Sequence, residues 1–390
     1  MVLSLPCLAD GVPVCEPGVV GMDSRRLAVI DDVVNEGLQR GNMPGCVVLV
    51  GHRGHVVYHR AFGFRQLVPE KLPMQADTVF DLASLTKPIA TATCIMALVE
   101  SGQLDLNSAV STWLPDFAAN GKEEVTIRQL LVHTSGLIPD NSMKDYADGP
   151  EAAFERIHQL KLTQPPGTRV AYSDVGFIVL AEIVQKVTGK TVHEYSQEKL
   201  FQPLGMKETG YLVSDDLKQR AATTEVRDGR PMQGEVHDPR AWALGGVAGH
   251  AGLFSTAPDL ARFAQMLIDR GQGNGRQILK PETVSLMTQP VEVSAGLRTP
   301  GWDMKSTYSS NRGDLFSATA FGHGGFTGTS FWVDPSQSLF VICLSNRVHP
   351  DGKGSVNSLA GRIGTIAAAA IVNSAEAVKS SRQTPNSDRN

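Results

Sequence analysis

The chain has 390 residues and a formal net charge of −4, with Lys+Arg and Asp+Glu scattered along its length. That length exceeds one simple core, so two structural units are expected. The lack of any basic block argues against a nucleic-acid partner. No apolar run reaches the ~20 residues that a membrane-spanning helix needs. The five cysteines, Cys7, Cys15, Cys46, Cys94 and Cys343, are irregularly spaced and form no C-x-x-C pair. They suggest neither a disulfide framework nor a zinc site, and Cys46, Cys94 and Cys343 sit in apolar runs as core residues.

In chain order, the N-terminus "MVLSLPCLADGVPVCEPG" has no basic lead, and Pro6, Cys7 and Asp10 interrupt its apolar stretch. It is a poor export signal. The expected location is the cytoplasm, or the periplasm for a trimmed form. Residues 24–40, "SRRLAVIDDVVNEGLQR", read as an amphipathic helix. "GCVVLVGHRGHVVYHRAFG" reads as a hairpin turning at His52-Arg53-Gly54.

The next segment, "FDLASLTKPIATATCIMALVESG", opens on Ser84-Leu85-Thr86-Lys87. Pro88 is tolerated only in a first helical turn, so a helix is expected to begin near Ser84. Apolar residues surround it, and Gly102 closes it. Ser84 and Lys87, three apart, share a face. A lysine with little water around it is expected to lose pKa and accept a proton. A hydroxyl beside a proton acceptor suits nucleophilic catalysis. Ser-x-x-Lys is a weak pattern alone, and Ser196-Gln197-Glu198-Lys199 is a second copy. Its charged neighbours mark that copy as a solvated helix face.

From about 105 to 300 the pattern is mainly helical. "TIRQLLVHTSGL" predicts a short helix stopped at Gly136. "VGFIVLAEIVQKVTGK" predicts an amphipathic helix ended at Gly189. "STAPDLARFAQMLIDRG" carries a Thr256-x-x-Asp259 cap and an early Pro258, and stops at Gly271. Strands return at "GTSFWVDP" and "SLFVICLSN", joined by a Pro335-Ser336-Gln337 turn. An Ala-rich helix covers about 355–374, and the polar tail "SSRQTPNSDRN" is expected to be disordered. Both chain ends therefore supply one antiparallel sheet, with a helical region between. His237-Asp238 and His250 flank a Gly-rich loop, but no metal-ligand spacing accompanies them, so no metal and no cofactor is expected.

Five motifs recur in a fixed order: "SLTK", "LLVHTSGL" at 130–137, "PPGTRVAYSDVGF" at 165–177, "AGLFSTAPDLARF" at 251–263 and "FGHGGFTGTSFWVDP" at 321–335. Together they resemble the serine β-lactamase and penicillin-binding-protein superfamily over roughly residues 20 to 375. The branch indicated is the class C β-lactamase-like group, which includes family VIII carboxylesterases and D-alanyl-D-alanine peptidase relatives. The resemblance implies an α+β, β-lactamase/transpeptidase-like fold. Its antiparallel sheet is flanked by N- and C-terminal helices and carries an inserted mainly helical domain. The expected division is 1–82 with 301–390 for the sheet domain and 83–300 for the helical one, with the site at their interface.

Carried over by motif, Ser84 is the acylated nucleophile and Lys87 helps to deprotonate it. Tyr172 of Tyr-Ser-Asp is the general base, although Tyr146-Ala147-Asp148 also fits Tyr-x-Asp. Backbone N–H groups of Ser84 and Phe326 form the oxyanion hole, the usual electrostatic aid to acyl transfer. His323, Gly324 and Gly325 occupy the place of the family's Lys-Thr-Gly strand, and Asp174 replaces the asparagine of Tyr-x-Asn; these four are the expected substrate-binding residues. An ionised Asp174 accepts but cannot donate. His323 is mostly neutral at pH 7 and Gly324 has no hydroxyl. All three changes disfavour a carboxylate-bearing amide. The expected function is a carboxylesterase acting on small-molecule esters. The alternatives are a β-lactamase or D-alanyl-D-alanine carboxypeptidase, or a catalytically silent binding protein on the same fold. No G-x-S-x-G occurs in the chain, which argues against an α/β-hydrolase esterase. The sequence leaves the oligomeric state open.

Overall fold

The computed structural model describes residues 11–372, so Cys7 and the polar C-terminal tail lie outside the described residues. A nine-stranded antiparallel sheet runs from Val291–Val293 through Gly296–Arg298, Asp303–Ser306, Phe321–Gly325, Thr329–Asp334 and Leu339–Ser345. It then crosses to the N-terminal strands Gly45–His52, His55–Gln66 and Leu72–Pro73. The two ends of the chain meet where Cys46 pairs with Ser345 and His52 with Leu339. Two of the strands, Val291–Val293 and Gly296–Arg298, lie between residues 83 and 300, so the sheet draws on more of the chain than the 1–82 and 301–390 segments expected for it.

The central strand Gly45–His52 is buried along its whole length. Successive side chains in a strand point to opposite faces. Cys46, Val48 and Val50 therefore pack with Val33, Val34, Leu359 and Ile363 of the terminal helices Ser24–Gln39 and Asn357–Ala369. Val47 and Leu49 pack with Phe80, Leu85 and Ile89 of the helical body. A strand buried on both faces reads as a continuous apolar run, as this one does. Its hairpin turns at Arg53 and Gly54, whose φ of 48° and 78° give the twist that a two-residue connection requires.

The segment expected as one helix from Ser84 is three pieces. A 3₁₀ turn spans Ala83–Leu85, a π-helix Lys87–Ala92 and an α-helix Thr93–Glu100. Pro88 offers no N–H, and the Thr93 hydroxyl donates to its carbonyl at 2.8 Å, so the backbone widens locally. Residues Ile89 to Met96 are buried all round. The helix Asp174–Thr188 starts from a Ser173 cap, whose Oγ accepts from the Gly176 N–H at 3.1 Å, and stops at Gly189 with φ 70°. Ala257–Ile268 is capped by Thr256. Ile127–Leu131 ends before Gly136, because His133 already sits at φ 60°. Among the described residues no helix is long and apolar enough to cross a membrane.

Candidate active site

Ser84 sits on a stiffened turn. The Asp81 carboxylate accepts from the backbone N–H of Ala83 at 2.8 Å and of His237 at 2.7 Å. Ala83 itself is left-handed, at φ 46°, a conformation that costs a residue with a Cβ and persists only where its surroundings enforce it. The facing strand end is tied to the same turn. The Thr327 hydroxyl donates to the Asp81 carbonyl at 2.7 Å and that of Thr329 to the Leu82 carbonyl at 3.0 Å. Gly325 makes this approach possible: a Cβ there would lie 2.1 Å from Thr329 Oγ1 and 2.4 Å from the Leu82 carbonyl oxygen. These contacts set the separation of the backbone N–H groups of Ser84 and Phe326.

Lys87 has no exposed surface. Its ammonium donates to Ser84 Oγ at 3.1 Å and to the His250 carbonyl at 2.9 Å, and forms an ion pair with Asp174 Oδ1 at 2.6 Å. Two hydrogen-bond acceptors and a counter-ion therefore surround the ammonium. Burial alone would lower the lysine pKa, but the Asp174 and Tyr172 charges outweigh it, and the pKa ends above its ordinary value. The sequence expectation of a lysine with lost pKa is thus corrected by a carboxylate 87 positions further along the chain. Asp174, expected to face substrate, is turned onto Lys87. Burial would raise this carboxyl, yet Lys87 and His250 hold it below the usual range.

Tyr172 lies beside this pair, with Lys87 Nζ 5.0 Å from its ring centroid. Its hydroxyl is buried and faces Ser84 and the Lys87 ammonium, both of which act on its ionisation. Burial pushes the phenol pKa up, Lys87 draws it down and Asp174 raises it again. The ring packs on His133 at 4.4 Å and lies 5.8 Å from His323. His133 accepts the Ser173 N–H on Nδ1 at 3.0 Å, and burial followed by Arg298 and Lys87 holds it neutral. His323 is pushed down to about 3 by burial, Arg298 and Lys87. Its Nδ1 donates to the Gly324 carbonyl at 2.7 Å, which leaves Nε2 as an acceptor.

Ser84, Tyr172, His323, Gly324, Gly325 and Phe326 line one cavity of about 420 Å³. A Cβ at Gly324 would lie 2.5 Å from Asn311 Nδ2, so a side chain there requires that amide to move. The Phe326 ring is exposed, with the Arg347 guanidinium 4.4 Å above it and the His237 ring stacked at 5.6 Å. Behind Lys87, His250 Nε2 donates to Asp238 Oδ1 at 2.8 Å, and Asp238 is held below the usual carboxylate range against its own burial. Asp174, Asp238 and His250 offer ligand atoms within 4.8 Å of one another. Lys87 forms an ion pair with Asp174 and His250 a hydrogen bond with Asp238, so the cluster reads as one hydrogen-bonded network. Sequence reasoning noticed Asp238 and His250 but not their link to Lys87. It gave His133 and Arg298 no role.

The competing residues lie elsewhere. Tyr146 is buried with its hydroxyl on Asn141 Oδ1 at 2.8 Å, and Asp148 pairs with Arg156. In the second Ser-x-x-Lys copy, Lys199 is solvated as expected, but Ser196 is buried with its hydroxyl on the His193 carbonyl at 3.0 Å.

Residues 30–364 match the family model described as Beta-lactamase. Over 376 residues the chain is 31% identical to an N-acetylmuramyl-L-alanine amidase of Bacillus subtilis, covering 86% of this chain and 85% of that protein. It is 30% identical to a putative D-alanyl-D-alanine carboxypeptidase of Salmonella agona, covering 90% of each. Among solved structures, a family VIII carboxylesterase superposes with a TM-score of 0.69 at 21% identity, over 89% of this chain and 98% of the other.

Proposed function

Since the chain belongs to the Beta-lactamase family and is a serine hydrolase, we propose that it works through an acyl-enzyme on Ser84 and acts as a carboxylesterase on short-chain esters. The observation that carries the acyl-enzyme reading is the junction of Ser84 Oγ, the buried Lys87 ammonium and the Tyr172 hydroxyl that faces both.

Lys87 and Tyr172 act as one coupled base. With Lys87 an ammonium and Tyr172 a phenol, neither accepts a proton. Loss of one proton from the pair generates the acceptor. Ser84 Oγ then attacks the acyl carbon as its proton passes to the pair, and the negative oxygen develops against the N–H groups of Ser84 and Phe326. The pair returns the proton to the leaving group. Water, deprotonated by the same pair, attacks the acyl carbon, and the pair returns that proton to Ser84 Oγ as its bond to the acyl group breaks. Esters are favoured because His323 presents an acceptor at the cavity wall, Gly324 has no hydroxyl, and Asp174 is engaged with Lys87 instead of donating to an amide.

A second reading, a carboxypeptidase, draws support from the buried Arg298 at the cavity wall and from the relatives named for amidase and carboxypeptidase activity. Side-by-side kcat/KM values for p-nitrophenyl butyrate, nitrocefin and a D-Ala-D-Ala peptide separate the two. A p-nitrophenyl ester to nitrocefin ratio above one supports the esterase. A ratio below one gives way to β-lactamase or peptidase.

A further inference from the structure

Two helices, Pro150–His158 and Asp174–Thr188, leave a space between them. Ile178, Ala181, Glu182 and Gln185 recur at helical spacing and share one face of the second; Glu151, Phe154 and His158 do so on the first. Both faces line a cavity of about 670 Å³, larger than the Ser84 cavity of about 420 Å³ and sharing no lining residue with it. Trp113 and Leu114 close one side, and the segment from Leu244 to Gly249 closes another.

The lining selects the occupant. Trp113, Phe154, Ile178, Leu244 and Val247 give it apolar walls, two of them aromatic. His158 is buried, its ring edge meets Phe117 at 6.3 Å, and its Nε2 donates to Glu182 Oε2 at 2.8 Å. That bond orients the Glu182 carboxylate and leaves Oε1 without a hydrogen bond among the described residues. Asp116 and Glu151 add negative charge at the exposed rim, where Lys186 is the single lining lysine. None of these three rim charges forms an ion pair among the described residues. An anion would meet three carboxylates. A wholly apolar molecule would strip water from Glu182 and return no hydrogen bond. A cation with an apolar body satisfies both, its ammonium on Glu182 and its body against Trp113 and Phe154.

We propose that this cavity is a second ligand site of the protein and that it takes an organic ammonium with an apolar body, anchored on Glu182. Two of its walls also position Lys87. The helix that carries Glu182 begins at Asp174, the ion-pair partner of Lys87. The wall at Val247–Gly249 leads directly into His250, whose carbonyl accepts from Lys87 at 2.9 Å, and the Thr91 hydroxyl donates to the Gly249 carbonyl at 2.7 Å. A Cβ at Gly249 would lie 1.9 Å from the Phe177 carbonyl oxygen, so the two walls meet backbone to backbone. An occupant pressing on either wall therefore acts on kcat at Ser84 without competing for the ester. The site itself does not depend on an acyl-enzyme at Ser84, so failure of either leaves the other standing.

The test is isothermal titration calorimetry of the full chain at pH 7 with three probes of similar shape: 2-phenylethylammonium, 2-phenylethanol and 3-phenylpropanoate. The ammonium should bind at one site per chain and at least roughly tenfold tighter than the alcohol, the value of one charge-assisted hydrogen bond, and the carboxylate should not bind. Glu182→Gln keeps the shape, removes the charge and should bring the ammonium to the affinity of the alcohol. Equal affinities for ammonium and alcohol in the unmodified protein would overturn the inference, and that comparison stands even if the variant does not fold. An ammonium preference that survives Glu182→Gln would overturn it as well. In p-nitrophenyl butyrate hydrolysis, saturating ammonium should change kcat and leave KM in place. A rise in KM at constant kcat is competition for the Ser84 cavity and contradicts a separate site.

Discussion

Lys87 Nζ lies 2.6 Å from Asp174 Oδ1, a contact between a lysine with no exposed surface and a partly buried carboxylate. In the proposed mechanism this contact sets the charge state from which the reaction starts. Asp174 raises the pKa of both Lys87 and Tyr172. The reactive form needs one proton fewer, so activity rises with pH through the ionisation of the pair. Asp174→Asn removes the charge that raises both groups, and the rising limb should move to lower pH. The kcat/KM profile for p-nitrophenyl acetate between pH 5 and 10 measures this shift. A limb that stays in place or moves to higher pH contradicts the assignment.

Tyr172→Phe removes the only proton-accepting atom of that ring and leaves its packing on His133. General acid–base catalysis is worth ~10²–10⁴-fold, and kcat should fall by about that much with thermal stability preserved. Tyr146→Phe, which loses only a bond to Asn141, should keep most of its activity. Retention of more than about a tenth of the rate by Tyr172→Phe is below the usual range and refutes the role.

Gly325→Ala tests how closely the two halves of the site approach. The new Cβ would press on Thr329 Oγ1 and on the Leu82 carbonyl, and the latter is backbone that cannot rotate away. Overpacking of this kind costs about 1–3 kcal/mol. Because the strain falls on the segment that sets the Ser84 and Phe326 N–H groups, kcat should drop more than stability alone explains. Urea unfolding together with steady-state kinetics on the same preparation separates the two effects.

His323 titrates at about 3 in the fold, against about 6.5 for a free histidine. The fold therefore favours its neutral form. That contribution is fully present above about pH 6.5 and is lost as the pH falls toward 3. His133, lowered by its own burial, acts in the same direction. The melting temperature should fall between pH 7 and 4, and His323→Asn should flatten that fall. An unchanged slope in the variant would show that other groups set the acid stability.

The parts of the site that were legible in the sequence are those held by local geometry. Ser84 and Lys87 are three residues apart beside Pro88, and Tyr172 immediately precedes a well-capped helix. His323 to Phe326 end one strand opposite an unmistakable apolar hairpin. The continuous apolar run at Gly45–His52 likewise announced the sheet. What stayed hidden depends on tertiary proximity. No spacing rule links Lys87 to Asp174, so burial alone suggested a lowered lysine pKa, and the ion pair reversed it. Arg298 stands in a short strand of weak periodicity, "GLR", and only its burial without an acceptor marks it. Gly324 read as a missing hydroxyl, whereas the Asn311 amide already fills the space.

The most direct measurement of the central claim is intact-mass spectrometry after treatment with a fluorophosphonate, followed by peptide mapping. The account predicts one adduct, on Ser84, that Ser84→Ala abolishes together with ester hydrolysis, while Ser196→Ala retains both. An adduct that persists in Ser84→Ala, or ester hydrolysis at the unmodified rate in that variant, would contradict it.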